Sequence, residues 1–226
     1  MLFSRKAQTS PSRILRLVSR QGWREDEALR ITPRPCVPTN PGARRLVMRR
    51  DGIEELSLTP MRWGLRGEVD AAFAIHHPLT SVRTEVIASD PEWRRMLNIR
   101  RCVVPAEQFY EWKRVEDIKT REYCIRLRSG KPMMMAGLWN RSAGHGETFA
   151  YINCTSNALM SRVHDRMPVL LDPADLPAWF NPDTTLDALL SMLRPARADE
   201  IELTPANRPP AQADARQGWL FERIAA

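Results

Sequence analysis

Apolar runs in this chain are short, and turn residues close them again and again. That rhythm restricts it to folds made of small strands and helices. Residues 45–50 and 53–58 flank Asp51-Gly52, a dipeptide suited to a two-residue hairpin. Residues 123–128 and 133–138 flank Ser129-Gly130 and predict a second hairpin. Residues 102–104 and 109–113 read as strands split by Pro105, with further strands over 148–154 and 167–171. Ser10-Pro11, Asp90-Pro91 and Asp172-Pro173 each join a capping side chain to a proline in the first turn, which is how helices start. Ile14, Leu15 and Val18 give the first helix its stripe, and Trp93, Met96 and Leu97 give the second. The third helix runs to about residue 180, and 185–193 is another amphipathic helix, while the Pro-, Thr- and Asn-rich stretch 31–43 is a loop. Short strands in hairpins with helices between them predict an α+β fold with a mainly antiparallel sheet.

The chain has 226 residues, 43% of them hydrophobic, with seven tryptophans, enough for one well-buried domain over residues 1–226. The tail after about residue 210 is expected to be loosely attached. No run approaches eighteen apolar residues, and Met1-Leu2-Phe3-Ser4-Arg5-Lys6 has no apolar core of a signal peptide, so the expected location is cytoplasmic. Cys36, Cys102, Cys124 and Cys154 are scattered with no Cys-x-x-Cys pair, as suits reduced thiols. His76 and His77 are adjacent and point apart, with no carboxylate pattern to complete a metal site, so neither metal nor cofactor is expected. The formal charge of +7 favours polyanionic partners such as nucleic acid, although ordinary basic domains share it.

Polar residues inside apolar strands carry the chemical signal, because burying them without partners is costly. Glu111 stands in Phe109-Tyr110-Glu111-Trp112, where desolvation would raise its pKa and suit it to general acid or base work. The alternative is an outward-facing carboxylate paired with an arginine. His164, in Val163-His164-Asp165-Arg166-Met167-Pro168, sits between a helical stretch and a strand. It can move a proton near neutral pH or simply bond a backbone carbonyl. No Ser-His-Asp or Cys-His spacing and no Gly-rich phosphate loop is present.

Taken in order, several segments form one pattern. They are Met61-Arg62-Trp63-Gly64-Leu65, Ser81-Val82-Arg83-Thr84-Glu85, and Arg101-Cys102-Val103-Val104-Pro105-Ala106 running into Phe109-Tyr110-Glu111-Trp112. Ala136-Gly137-Leu138-Trp139 follows, then Thr155-Ser156-Asn157-Ala158-Leu159-Met160 leading to His164-Asp165-Arg166-Met167-Pro168-Val169. This resembles the SRAP family, the SOS-response-associated peptidase domain of abasic-site processing proteins, over roughly residues 1–210. The resemblance implies a barrel-like sheet flanked by helices, a monomer, and a role in the DNA damage response. It implies binding of single-stranded DNA at abasic sites, with association to the nucleoid when bound. It also implies a covalent bond to the lesion through an N-terminal cysteine, whose amine and thiol close a thiazolidine ring. By the same resemblance Glu111 and His164 are the catalytic pair. Arg5, Arg83 and Arg166 meet phosphate or the lesion's flank, Thr155 lies near the pocket, and Trp63 offers a face for stacking or belongs to the core.

Two positions depart from the family pattern. Leu2 stands where the cysteine is expected, and a hydrocarbon cannot close a thiazolidine. Ser81 stands where an asparagine is expected, and Glu107-Gln108 replace a small residue and glycine. The α-amine, with a pKa of roughly 8, remains able to form a transient imine. Cys36, in Pro35-Cys36-Val37-Pro38, reads as a structural thiol. Three readings follow: an enzyme processing abasic sites, a non-catalytic module shielding lesions in single strands, and a general peptidase.

Overall fold

The computed structural model describes residues 41–51, 55–70, 72–116 and 119–206. The helix expected from Ser10, most of the 31–43 loop, and Leu2, Arg5 and Cys36 lie outside them. The first strands are β1 (Arg44–Asp51), β2 (Glu55–Trp63), β3 (Leu65–Glu68), β4 (Ala74–Leu79) and β5 (Ser81–Arg83), followed by helices α1 (Thr84–Ser89) and α2 (Pro91–Ile99). Next come β6 (Arg101–Ala106), β7 (Phe109–Glu116), β8 (Lys119–Leu127), β9 (Met133–Ser142) and β10 (Gly146–Thr155). A 3-10 turn (Met160–Arg162), β11 (Arg166–Pro168) and β12 (Leu170–Leu171) precede a second 3-10 turn (Pro173–Asp175). Helices α3 (Leu176–Phe180) and α4 (Leu186–Met192) and strand β13 (Ile201–Pro205) finish the described chain.

Strands β10, β2, β1, β6 and β9 are paired in that order, and β9 pairs back onto β10, so five strands close a barrel. A ring of five cannot alternate direction throughout, so at least one joint must be parallel. That joint is β10 with β2, where Thr148 faces Arg62 and Phe149 faces Trp63. Closure removes the free edges of these strands. Register sets Arg49, Cys102, Gly137 and Tyr151 in one row around the wall, on one face. The opposite face carries Arg101, whose guanidinium reaches the helices, so the Cys102 row points inward. Trp63, Phe149 and Tyr151 meet edge to face on this inner side, with centroids 5.6 Å and 5.3 Å apart, and fill the narrow barrel. Gly137 is required in the row, since a Cβ there would come within 2.8 Å of the Ala150 carbonyl and 3.0 Å of Cys102 Sγ.

Helices cover the outer face. Asp90 caps α2 by accepting from the Glu92 amide at 2.8 Å, and the helix buries Trp93, Met96 and Leu97. Arg101 then clamps helix ends to the wall, donating to the carbonyls of Leu97 (2.9 Å), Asn98 (2.6 Å), Trp179 (2.6 Å) and Asn181 (3.0 Å). Those carbonyls lie at the C-terminal ends of α2 and α3, where no amide inside the helix is available. Burial lowers the Arg101 pKa to about 10, with Arg50 adding repulsion.

The barrel and its helices match the α+β expectation, and four local expectations need correction. Asp51 pairs with Glu55, so Asp51 belongs to the ladder and not to a two-residue turn. Pro105 lies inside β6, opposite Met134. It is tolerated because β1 pairs with β6 only at Val103 and Cys102, which leaves that side of Pro105 without a ladder. Ser129-Gly130 does turn the chain, with Gly130 at φ +64, but the flanking strands do not pair. β8 joins β7 and β13 in a separate three-stranded sheet, while β9 joins the barrel. Residues 167–171 split at Val169, with β11 on β10 and β12 on β9.

Candidate functional site

β10 leaves the barrel part-way along its length. Up to Tyr151 it pairs with β9, and its remaining residues pair with β5 in parallel and with β11 antiparallel. Register sets Ser81 beside Tyr151, Arg83 beside Asn153, Pro168 beside Asn153 and Arg166 beside Thr155. Tyr151, Asn153 and Thr155 alternate onto one face, so Ser81, Arg83, Thr155 and Arg166 form a single surface that continues the barrel's inner wall. Four of the residues expected at the site are thereby brought together.

On that surface Arg166 Nη1 donates to both oxygens of Glu85, each at 2.8 Å, and Thr155 Oγ1 donates to Glu85 Oε1 at 3.4 Å. Burial raises the Glu85 pKa, but the Arg166 hydrogen bond and charge outweigh it, and the carboxyl is held below its ordinary value. Asn153 Nδ2 donates to Ser81 Oγ at 2.9 Å. Arg83 is exposed and makes no ion pair among the described residues.

His164 hangs from the end of the 3-10 turn, its amide bonded to the Met160 carbonyl at 2.9 Å. Asn157 builds that turn by accepting from the amides of Leu159 and Met160. Ser156 Oγ donates to the His164 carbonyl at 2.7 Å. His164 Nδ1 accepts from the Arg166 amide at 2.9 Å, which places the ring proton of neutral imidazole on Nε2. The same Nδ1 lies 3.1 Å from Asp165 Oδ1, a contact that becomes attractive only if Nδ1 gains a proton and gives up the Arg166 amide. Asp165 is largely exposed, so water screens that pull, and the amide bond decides the tautomer.

Glu111 comes from the other sheet, opposite Tyr123 on β8. It is 3% exposed, and its Oε1 has no hydrogen-bond partner. Burial pushes its pKa up; the charge of His164 opposes that rise and the charge of Asp165 adds to it. The charges of His164 and Asp165 therefore act on the protonation of Glu111. The outward-facing alternative for Glu111 is excluded by its burial.

Trp63 is 2% exposed, and its indole Nε1 donates to the Thr80 carbonyl at 2.8 Å. It is a core residue, so of its two sequence readings the stacking face gives way to packing. Arg5 lies outside the described residues. Sequence reasoning missed Glu85 and Asn153. Asn153 is a polar residue inside the apolar stretch 149–154, the same signal that singled out Glu111. Among the described residues no group of three or more His, Cys, Asp or Glu side chains could hold a metal ion, and no helix is long and apolar enough to cross a membrane.

The chain matches the SRAP family, SOS response associated peptidase, over residues 4–209, and it belongs to that family. The abasic site processing protein YoqW of Bacillus subtilis (strain 168) is 34% identical over 173 residues, which span 74% of this chain and 77% of YoqW. The abasic site processing protein YoaM of the same organism is 33% identical over 174 residues, 74% of this chain and 76% of YoaM. In three dimensions the fold is similar to that of a crystal structure of a protein from Bacteroides thetaiotaomicron, with a TM-score of 0.73, 21% identity and 92% of each chain covered. The crystal structure of a phage-related protein from Bordetella bronchiseptica gives a TM-score of 0.69 at 24% identity, over 92% of this chain and 94% of that one.

Proposed function

We propose that this protein recognises abasic sites in single-stranded DNA and handles the lesion on the surface shared by β5, β10 and β11, with Glu111 and His164 moving protons. The observation that carries this reading is Glu111, a buried acid with an unpartnered oxygen whose titration feels the charge of His164, a histidine whose Nδ1 is taken by the Arg166 amide. Such an acid holds its proton to higher pH than a solvated one. The family membership and the names of the relatives supply the substrate class.

An abasic sugar in its open form is an aldehyde. Addition of the protein's α-amine gives a carbinolamine, and protonated Glu111 delivers a proton to its hydroxyl, which departs as water and leaves a protonated imine paired with the Glu111 carboxylate. The imine forms with Glu111 ionised, and water reverses it by the same route. His164 Nε2–H donates a hydrogen bond to the sugar oxygen as the ring opens. Arg83, exposed, supplies positive charge for the flanking phosphates, while Arg166 at the same edge is held by Glu85.

A second reading, a module that shields the lesion without reacting, is favoured by Leu2, whose side chain cannot complete a thiazolidine. Incubation of the full chain with single-stranded DNA bearing one abasic site separates the two. A band that borohydride makes permanent supports the imine, because hydride reduces the C=N bond to a stable amine. A salt-sensitive gel shift with no covalent band under either condition leaves the shielding module. Equal affinity for lesion and intact DNA refutes both.

A further inference from the structure

The Asn153 side chain is 9% exposed, and its Oδ1 has no hydrogen-bond partner although Nδ2 is held by Ser81 Oγ at 2.9 Å. Asn140 also has an unpartnered Oδ1, but there Nδ2 bridges the carbonyls of Arg66 and Glu68 at 3.1 Å each, and the residue is 0% exposed. Asn140 is a sealed strut between strands. Asn153 stands at the open end of β10, two residues from exposed Thr155 and across from exposed Arg83. An acceptor buried without a partner costs free energy unless a ligand completes it.

We infer that Asn153 is a ligand-contacting residue that reads the lesion, its Oδ1 accepting a hydrogen bond from the C1′ hydroxyl of the abasic sugar while Ser81 fixes the carboxamide. This rests on the proposed function and adds the group on which selection acts. An abasic sugar carries an O–H at C1′, whereas an intact nucleotide carries there a glycosidic bond to its base and has no hydrogen to donate. A site built to bond a hydroxyl rejects analogues that lack it, because the buried acceptor then stays unpaired. The carboxamide reaches this surface from β10, next to the β5 position where family resemblance leads one to expect it and Ser81 stands instead.

Two oligonucleotides isolate this contact from covalent chemistry. One carries an abasic site reduced to the alcohol, which keeps the C1′ hydroxyl and cannot form an imine. The other carries a tetrahydrofuran at the same place, which lacks that hydroxyl. With the full chain, fluorescence anisotropy is expected to show about ten-fold tighter binding to the reduced site than to the tetrahydrofuran. Asn153→Ala should abolish that ratio and leave affinity for intact single-stranded DNA unchanged. The double variant Ser81→Asn with Asn153→Ser should restore part of it by returning the carboxamide to β5, and it serves as the test if Asn153→Ala fails to fold. A ratio that survives Asn153→Ala, or a wild-type ratio of one with lesion DNA still preferred over intact DNA, overturns the inference alone. Wild-type indifference between lesion and intact DNA overturns the proposed function and this inference with it.

Discussion

Replacing Glu111 by glutamine separates a proton-transfer role from a structural one, because the two roles predict opposite changes in stability. Glu111 is 3% exposed with an unpartnered Oε1, and burial is the largest influence on its titration. The folded protein therefore keeps this proton to higher pH than the unfolded chain does, whose carboxyl titrates near the ordinary value of 4.5. Above that pH the unfolded state binds fewer protons than the native state, so the native fold loses stability as pH rises, until Glu111 itself ionises. A neutral glutamine of the same shape removes that loss. An unsatisfied buried group costs about 1–3 kcal/mol, and in a chain of this size each kcal/mol moves the melting temperature by about 2–4 °C. Glu111→Gln should accordingly melt higher than wild type at pH 7, and the gap should close as pH falls towards 4.5. In the same variant the rate of borohydride-trapped product should fall by about 100-fold or more, the usual contribution of a general acid or base. Scanning fluorimetry from about pH 4 to 8 and single-turnover trapping on abasic single-stranded DNA measure the two effects. A variant that melts lower at pH 7 and loses DNA affinity would show that Glu111 is an anchoring carboxylate, and the proton-transfer argument would fall.

The other perturbations address binding and packing. Glu85 occupies Arg166 Nη1 through both of its oxygens, so Glu85→Gln should free positive charge for phosphate. Affinity for single-stranded DNA should rise at low salt, and the slope of log K against log salt should steepen by about 0.7 for one added phosphate contact. An unchanged slope would mean that Arg166 serves the fold only. Trp63→Phe removes the indole bond to the Thr80 carbonyl and part of the barrel filling. It should cost about 1–3 kcal/mol of stability in chemical denaturation and leave DNA affinity unaltered. Weaker binding at unchanged stability would instead return Trp63 to a stacking role. Asp90→Ala deletes the α2 cap and should lower stability by about 1 kcal/mol, with lesion preference intact as read by the two-oligonucleotide comparison.

What the sequence revealed, and what it hid, follows from the range of the forces involved. Capping is local, so Asp90-Pro91 announced α2, and the amphipathic stretch 185–193 announced α4, which the structure shows capped by Thr185 accepting from the Ala188 amide. Pairing is not local, and the flanks of Ser129-Gly130 looked like a hairpin because a turn constrains its own residues and not the partners of the strands beyond it. Glu111 was legible because an acid among aromatics contradicts the hydrophobic pattern. His164 and Arg166 were legible through family resemblance, and so were Ser81, Arg83 and Thr155, yet only the register showed that the last three share a face with Arg166. Trp63 could not be assigned from sequence, since a buried indole and a stacking indole are the same residue until the barrel closes around one of them. Asn153 was passed over although it breaks the apolar run 149–154 as Glu111 breaks its own, and Glu85 gained meaning only when Arg166 was found against it.

The closure of the barrel also accounts for where the site lies. With five strands, one joint has to be parallel, and the β10–β2 joint holds for only Thr148 and Phe149. Beyond it β2 has ended at Trp63 and the pairing with β9 stops at Tyr151, so β5 takes the side that β2 leaves and β11 the side that β9 leaves. The same strand thus supplies Phe149 and Tyr151 to the aromatic filling and, one alternation further, Asn153 and Thr155 to the candidate site. A side chain that must hold an unpaired acceptor in place against solvent needs a backbone that cannot relax around it. Asn153 has that backbone because its strand is bonded on both sides, to Arg83 and to Pro168, and because four residues earlier it is anchored between Trp63 and Trp139.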